Sequence, residues 1–131
     1  MSVSITRSPA EDAETIRQLL VANLFQVFGE RDETLRTKAV ASTYHEGVLW
    51  HEPDRIINGL EELDRRAGEI LAETPGFKFS TDGEAIISQN MGIQSWNFGP
   101  EADPALVKGT DVIVVEGGKI KVLWTAVTKT P

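Results

Sequence analysis

The feature that most constrains the fold is a change of hydrophobic period at Pro75-Gly76. Before it, apolar residues recur at helical spacing. Ile16, Leu19, Leu20, Asn23, Leu24, Val27 and Phe28 fall on one stripe of a helix that Gly29 ends. Ser8-Pro9-Ala10-Glu11 reads as its start: a Ser cap, a Pro at the first helical position and an acid in the first turn. A second helix is expected from Asp32, with Leu35, Ala39, Val40 and Tyr44 on its inner face, broken by His45-Glu46-Gly47. Asn58-Gly59-Leu60-Glu61 has the form of a capping box. It opens a third helix, roughly residues 59–73, that turns Leu60, Leu63, Ala67, Ile70 and Leu71 inward.

After Pro75-Gly76 the pattern alternates. Phe77 to Ser80, Glu84 to Ser88, Met91 to Phe98, Ala105 to Glu116 and Lys119 to Thr128 are β-rich. Asp82-Gly83, Gln89-Asn90 and Gly117-Gly118 separate them as hairpin-type turns. Helices followed by consecutive strands indicate an α+β fold. The expectation is a curved antiparallel sheet of about four to six strands, packed by three helices that leave a cone-like cavity between the layers. At 131 residues the whole chain, 1–131, reads as a single domain.

Within that frame two carboxylates stand out. In Val48-Leu49-Trp50-His51-Glu52-Pro53, Glu52 shares a face with Val48 and Trp50. In Gly109-Thr110-Asp111-Val112-Ile113-Val114-Val115, Asp111 shares one with Val107, Ile113 and Val115. An ionised carboxylate among apolar side chains is costly, so such positions are usually paired, hydrogen-bonded or functional. His51 alternates away from Glu52 and enters the candidate set only if the strand bulges or twists. Trp50, Trp96 and Trp124 lie on three separate expected strands and could wall an apolar pocket for a flat or polycyclic ligand, or fill a core or dimer interface.

Composition narrows the partners. The net charge of −7 argues against nucleic acid and anionic membrane surfaces. No segment approaches the ~20 apolar residues of a membrane span, and Met1 to Arg7 lacks the apolar stretch of a signal peptide. There are no cysteines, hence no disulfide or thiolate chemistry. The expectation is a soluble cytoplasmic protein. His51-Glu52 and His45-Glu46 are adjacent pairs that cannot converge on one ion, so no metal is expected. Phosphate-binding, dinucleotide and nucleophile-elbow motifs are absent from the sequence, so no cofactor is expected.

Three features together resemble the nuclear-transport-factor-2-like superfamily, in its SnoaL-like polyketide cyclase and ketosteroid isomerase-like branch. They are Leu49-Trp50-His51-Glu52-Pro53 leading to Asn58-Gly59-Leu60-Glu61-Glu62-Leu63, the run Gly109 to Ile120 with its Gly-Lys-Ile turn, and the αα-β-α-ββββ order over nearly the whole chain. The resemblance implies a cystatin-like α+β roll and a homodimer joined through the sheet. It also implies that Glu52 is the general base and Asp111 a protonated acid that donates to an oxyanion. In the ketosteroid isomerases of that branch an apolar site holds such a carboxylic acid neutral. The chain departs from the ketosteroid isomerase pattern in having no Tyr between Ile16 and Phe28; Tyr44 is the alternative phenol.

Two functions follow from these readings. One is an isomerase, cyclase or dehydratase without cofactor. It would abstract a proton next to a carbonyl, with Glu52 or His51 as base and Asp111 as stabiliser. The other is a non-catalytic ligand-binding or dimerisation module on the same scaffold.

Overall fold

The computed structural model describes residues 11–131. The Ser8-Pro9 helix start lies outside them. Within them α1, Ala13–Val21, is capped by the Asp12 carboxylate, which accepts from the Glu14 amide. The same helix continues as a π-helical segment, Ala22–Phe28, that buries Asn23, Leu24, Val27 and Phe28. A π-helical run of this length is rare and often marks a functional region.

Asp32 caps α2, Glu33–Thr43, through the Leu35 amide. Its inner face differs from the expected one by a residue. Leu35 is 54% exposed and Arg36 is buried. The guanidinium can be buried because it is matched: Nε lies 2.8 Å from Asp64 Oδ1 and Nη1 donates to the Glu30 carbonyl. Tyr44 belongs not to α2 but to β1, Tyr44–His51.

After β2, Ile56–Asn58, comes α3, Leu60–Glu73. The expected capping box is absent. Asn58 is committed to β2, where it pairs with Leu49, so Gly59 caps the helix at φ +92° while its amide donates to the Val48 carbonyl. That φ favours glycine. The remaining strands are β3 (Lys78–Thr81), β4 (Ile86–Ser88), β5 (Met91–Gly99), β6 (Val107–Glu116) and β7 (Lys119–Lys129).

The sheet has seven strands in the order β2-β1-β7-β6-β5-β3, with β4 also on β5. It is open, since β2 and β3 form its edges. It is also mixed rather than antiparallel throughout: β1 runs parallel to β7. The hairpins β5-β6-β7 fix the direction of β7, and β1 occupies its free edge in the same direction. The helices cover one face. Ile16, Leu20, Val27, Tyr44, Leu63 and Ile113 are among the residues sealed between the layers.

A bulge in β7 decides which side chains enter that core. Val114 pairs with Val122, but the next residue, Val115, pairs with Ile120, so Lys121 is the extra residue. Strict alternation would set Ile120 beside Val122 and Trp124. The bulge instead returns Ile120 to the inner face with Leu123, and both are fully buried. Thr125 and Val127 follow on the inner face, whereas Trp124 points outward and is 43% exposed.

Candidate active site

Between the π-helical segment, α3 and the concave side of the sheet lies a cavity of about 320 Å³. That volume suits a small ligand. Its walls are aromatic: Phe28, Trp50, Phe79, Trp96 and Phe98. Phe28 and Trp50 meet edge to face at 4.7 Å, and Phe79 stacks on Phe98 at 4.1 Å. Pro53, Asp54 and Val127 are exposed members of the lining and mark the mouth.

Asp111 and Glu52 both face this cavity, in very different settings. Asp111 sits on the inner face of β6 and is buried. Asn23 Nδ2 donates to its Oδ2 and Thr125 Oγ1 to its Oδ1, each at 2.9 Å. Behind these donors stands a second set. The Tyr44 hydroxyl donates to Asn23 Oδ1, and Trp50 Nε1 donates to Thr125 Oγ1 at 3.0 Å. The network therefore runs Tyr44–Asn23–Asp111–Thr125–Trp50, with every proton directed toward the carboxylate.

Burial pushes the Asp111 carboxyl up from 3.8 to about 6, against the opposing pull of Trp96, Thr125 and Asn23. At that value the ionised form prevails at pH 7 by about ten to one. The Trp96 indole is close enough to depress the acid. Its N–H nevertheless falls outside hydrogen-bond geometry and has no partner among the described residues. Burial, and then the charge of Asp111, hold the Tyr44 phenol well above its usual 10, so Tyr44 is a neutral donor.

Glu52 lies just beyond β1, its amide bonded to the Arg55 carbonyl. Its side chain is 6% exposed and is held by cations. Arg66 Nε, from α3, is 3.2 Å from both Glu52 oxygens, and Arg55 Nε is 3.6 Å from Oε2. Arg66 also reaches Glu69 at 3.6 Å. The polar end of the pocket is thus an ion-pair cluster in which Arg55 and Arg66 face Glu52, Asp54 and Glu69, one acid in excess.

The other candidates divide by strand parity. Trp50 and Trp96 are on the inner face and line the cavity. His51 and Trp124 are on the outer face, where they stack on each other at 4.8 Å and 9°. No bulge occurs at Leu49–His51 to turn the imidazole inward; those residues pair in unbroken register with Val122–Trp124. Tyr44 is fully buried behind Asn23 and hydrogen-bonds that amide rather than Asp111 itself. Sequence reasoning missed Asn23, Thr125 and Arg66. Asn23 did leave a signal, as the one amide in an otherwise apolar stripe. Among the described residues no cluster of three His, Asp or Glu side chains could hold a metal, and no helix is long and apolar enough to cross a membrane.

No protein-family profile matches the sequence, and no curated protein matches it. Solved structures match in fold. A candidate isomerase of the SnoaL-like family from Agrobacterium tumefaciens superposes with a TM-score of 0.80, over 87% of this chain and 97% of its own, at 18% identity. A candidate SnoaL-like polyketide cyclase from Jannaschia sp. CCS1 gives 0.73, over 95% and 92%, at 10% identity. A protein of unknown function with a cystatin-like fold, from Methylobium petroleophilum, gives 0.73 over 94% and 82%, at 12% identity. The chain shares the α+β fold of these SnoaL-like and cystatin-like structures.

Proposed function

We propose that the protein binds a small, largely apolar carbonyl compound and that Asp111 removes a proton from the carbon next to the carbonyl. One observation carries this reading: a carboxylate raised to about 6 by burial, held by two donors, at the wall of an aromatic cavity. A base that titrates near neutrality combines a populated basic form with a useful driving force. The C–H electron pair becomes the new C=C bond and the carbonyl π pair moves onto oxygen. Returning the proton elsewhere gives an isomer, attack of the enolate carbon on a second carbonyl closes a ring, and loss of a β-hydroxyl dehydrates. The names of the structural neighbours, isomerase and polyketide cyclase, fit that first step.

These roles differ from those implied by the family resemblance, which makes Glu52 the base. Both Glu52 oxygens are engaged by Arg66, so abstraction by Glu52 would require that pair to break. The pair leaves the mouth without an unmatched cation, which favours a neutral ligand over an acidic one.

Deuterium uptake from D2O into 2-tetralone, a neutral enolisable ketone, tests the assignment without the natural substrate. Uptake above the buffer rate is expected for the wild type and for Glu52→Gln, and not for Asp111→Ala. Uptake lost in Glu52→Gln and kept in Asp111→Ala would return the base to Glu52. Binding with no uptake in any form favours the binding-module reading, which the absence of a phenol on the first helix supports.

The outer face of the sheet carries Leu49, Val112, Val122 and the His51–Trp124 stack, and Trp124 is 43% exposed. This supports a two-fold homodimer through the sheet. A monomer by light scattering at micromolar concentration would contradict it. A cysteine-free composition is consistent with a cytoplasmic location.

A further inference from the structure

Of the three indole N–H groups, two are accounted for. Trp50 Nε1 donates to Thr125, and Trp124 stands on the exposed outer face. The third, Trp96 Nε1, is buried in the pocket wall with no acceptor among the described residues. Asp111 is near enough for the indole to hold its carboxyl down, but the pair falls short of hydrogen-bond geometry, and each Asp111 oxygen already receives another donor. A buried donor without an acceptor is costly to a folded chain, and in a pocket wall a ligand oxygen is the natural acceptor.

The chain is built to place this ring. Trp96 pairs across the sheet with Gly109, and a Cβ on Gly109 would collide with Trp96 Cζ2 and come within 2.5 Å of Cη2. Only a residue without Cβ lets the indole lie against β6. Phe79 packs edge-on at 5.4 Å and 82° and holds the ring from another side. Asp111 is two residues beyond Gly109 on the same face. Base and free donor are therefore neighbours, as are an α-carbon and the oxygen of its carbonyl.

We infer that Trp96 Nε1 donates the hydrogen bond to the ligand's carbonyl oxygen and to the enolate it becomes, so that the pocket selects ligands with an acceptor oxygen on the carbon adjacent to the one facing Asp111. The enolate role rests on Asp111 being the base; the binding role does not. The indole occupies the functional place of the phenol missing from the first helix. Nε1 is covered, so the oxygen reaches it only if the wall shifts.

The test uses protein labelled with 15N in its indoles, which gives three N–H resonances, with Trp96→Phe assigning one. Tetralin and 2-tetralone are titrated in; they share shape and differ in the carbonyl. Expected are binding of both and a downfield move of the Trp96 resonance with 2-tetralone alone. The Trp50 resonance, already bonded to Thr125, should show no such difference between the two ligands. Trp96→Phe should lose about five- to tenfold in its preference for 2-tetralone over tetralin, and keep its affinity for tetralin. Equal effects of the two ligands on Trp96, or an unchanged preference in Trp96→Phe, overturns the inference, as does failure of both to bind at millimolar concentration. A Trp96 response without deuterium uptake supports the donor and overturns only the base.

Discussion

Replacing Asp111 by Asn tests the electrostatics of the site through stability alone. The folded protein binds a proton at Asp111 with a pKa of about 6, against 3.8 for an ordinary carboxylate. The sign follows from linkage: protonation favours the folded state, so this contribution is fully present below 3.8 and is lost as pH rises through about 6. The gap of about 2.2 pH units, at 1.36 kcal/mol each, is worth about 3 kcal/mol, of which about 2.5 falls between pH 4 and pH 8. Asn keeps the shape, accepts from Asn23, and presents its amide to Thr125, whose hydroxyl can turn to accept. Whatever fixed cost that swap carries does not vary with pH. Urea unfolding of both proteins from pH 4 to pH 8 should show the wild type losing about 2.5 kcal/mol relative to Asp111→Asn as pH rises. Other titrating groups cancel in the difference. A flat difference, or one of opposite sign, would refute the reasoning, because the donors around Asp111 would then match or outweigh its burial.

Asn23→Leu removes the amide that serves both Tyr44 and Asp111. It should cost about 3–5 kcal/mol at neutral pH by urea unfolding and raise the Asp111 midpoint above 6 by carboxyl NMR. Gly109→Ala sets a methyl against the Trp96 ring. A loss of about 1–3 kcal/mol with a shifted Trp96 indole resonance is expected, and an unmoved resonance would contradict the close packing.

The helices and most strands were legible because their apolar residues keep strict periods. The start of the second helix near Asp32 and a long strand ending at Glu116 needed no tertiary information. What escaped depends on partners distant in sequence. Arg36 displaces Leu35 from the inner face only because Asp64 waits on α3. Capping at Gly59 reflects the commitment of Asn58 to β2. The Lys121 bulge that buries Ile120 has no local signature, and neither does the parallel union of β1 with β7. At the site, alternation set Asp111, Glu52 and Trp50 on faces shared with apolar side chains and His51 on the other; it did not separate Trp96, which lines the cavity, from Trp124, which points outward. It could not supply Arg66, which closes on Glu52 from another element and alters what that acid can do.

The pH dependence of deuterium uptake into 2-tetralone tests the claim that Asp111 is a desolvated base most directly. For the wild type, the rate above buffer should rise through a single ionisation near 6, move to higher pH in Asn23→Leu, and disappear in Asp111→Ala. A rate that follows an ionisation near 4, or a profile that survives Asp111→Ala, would contradict it.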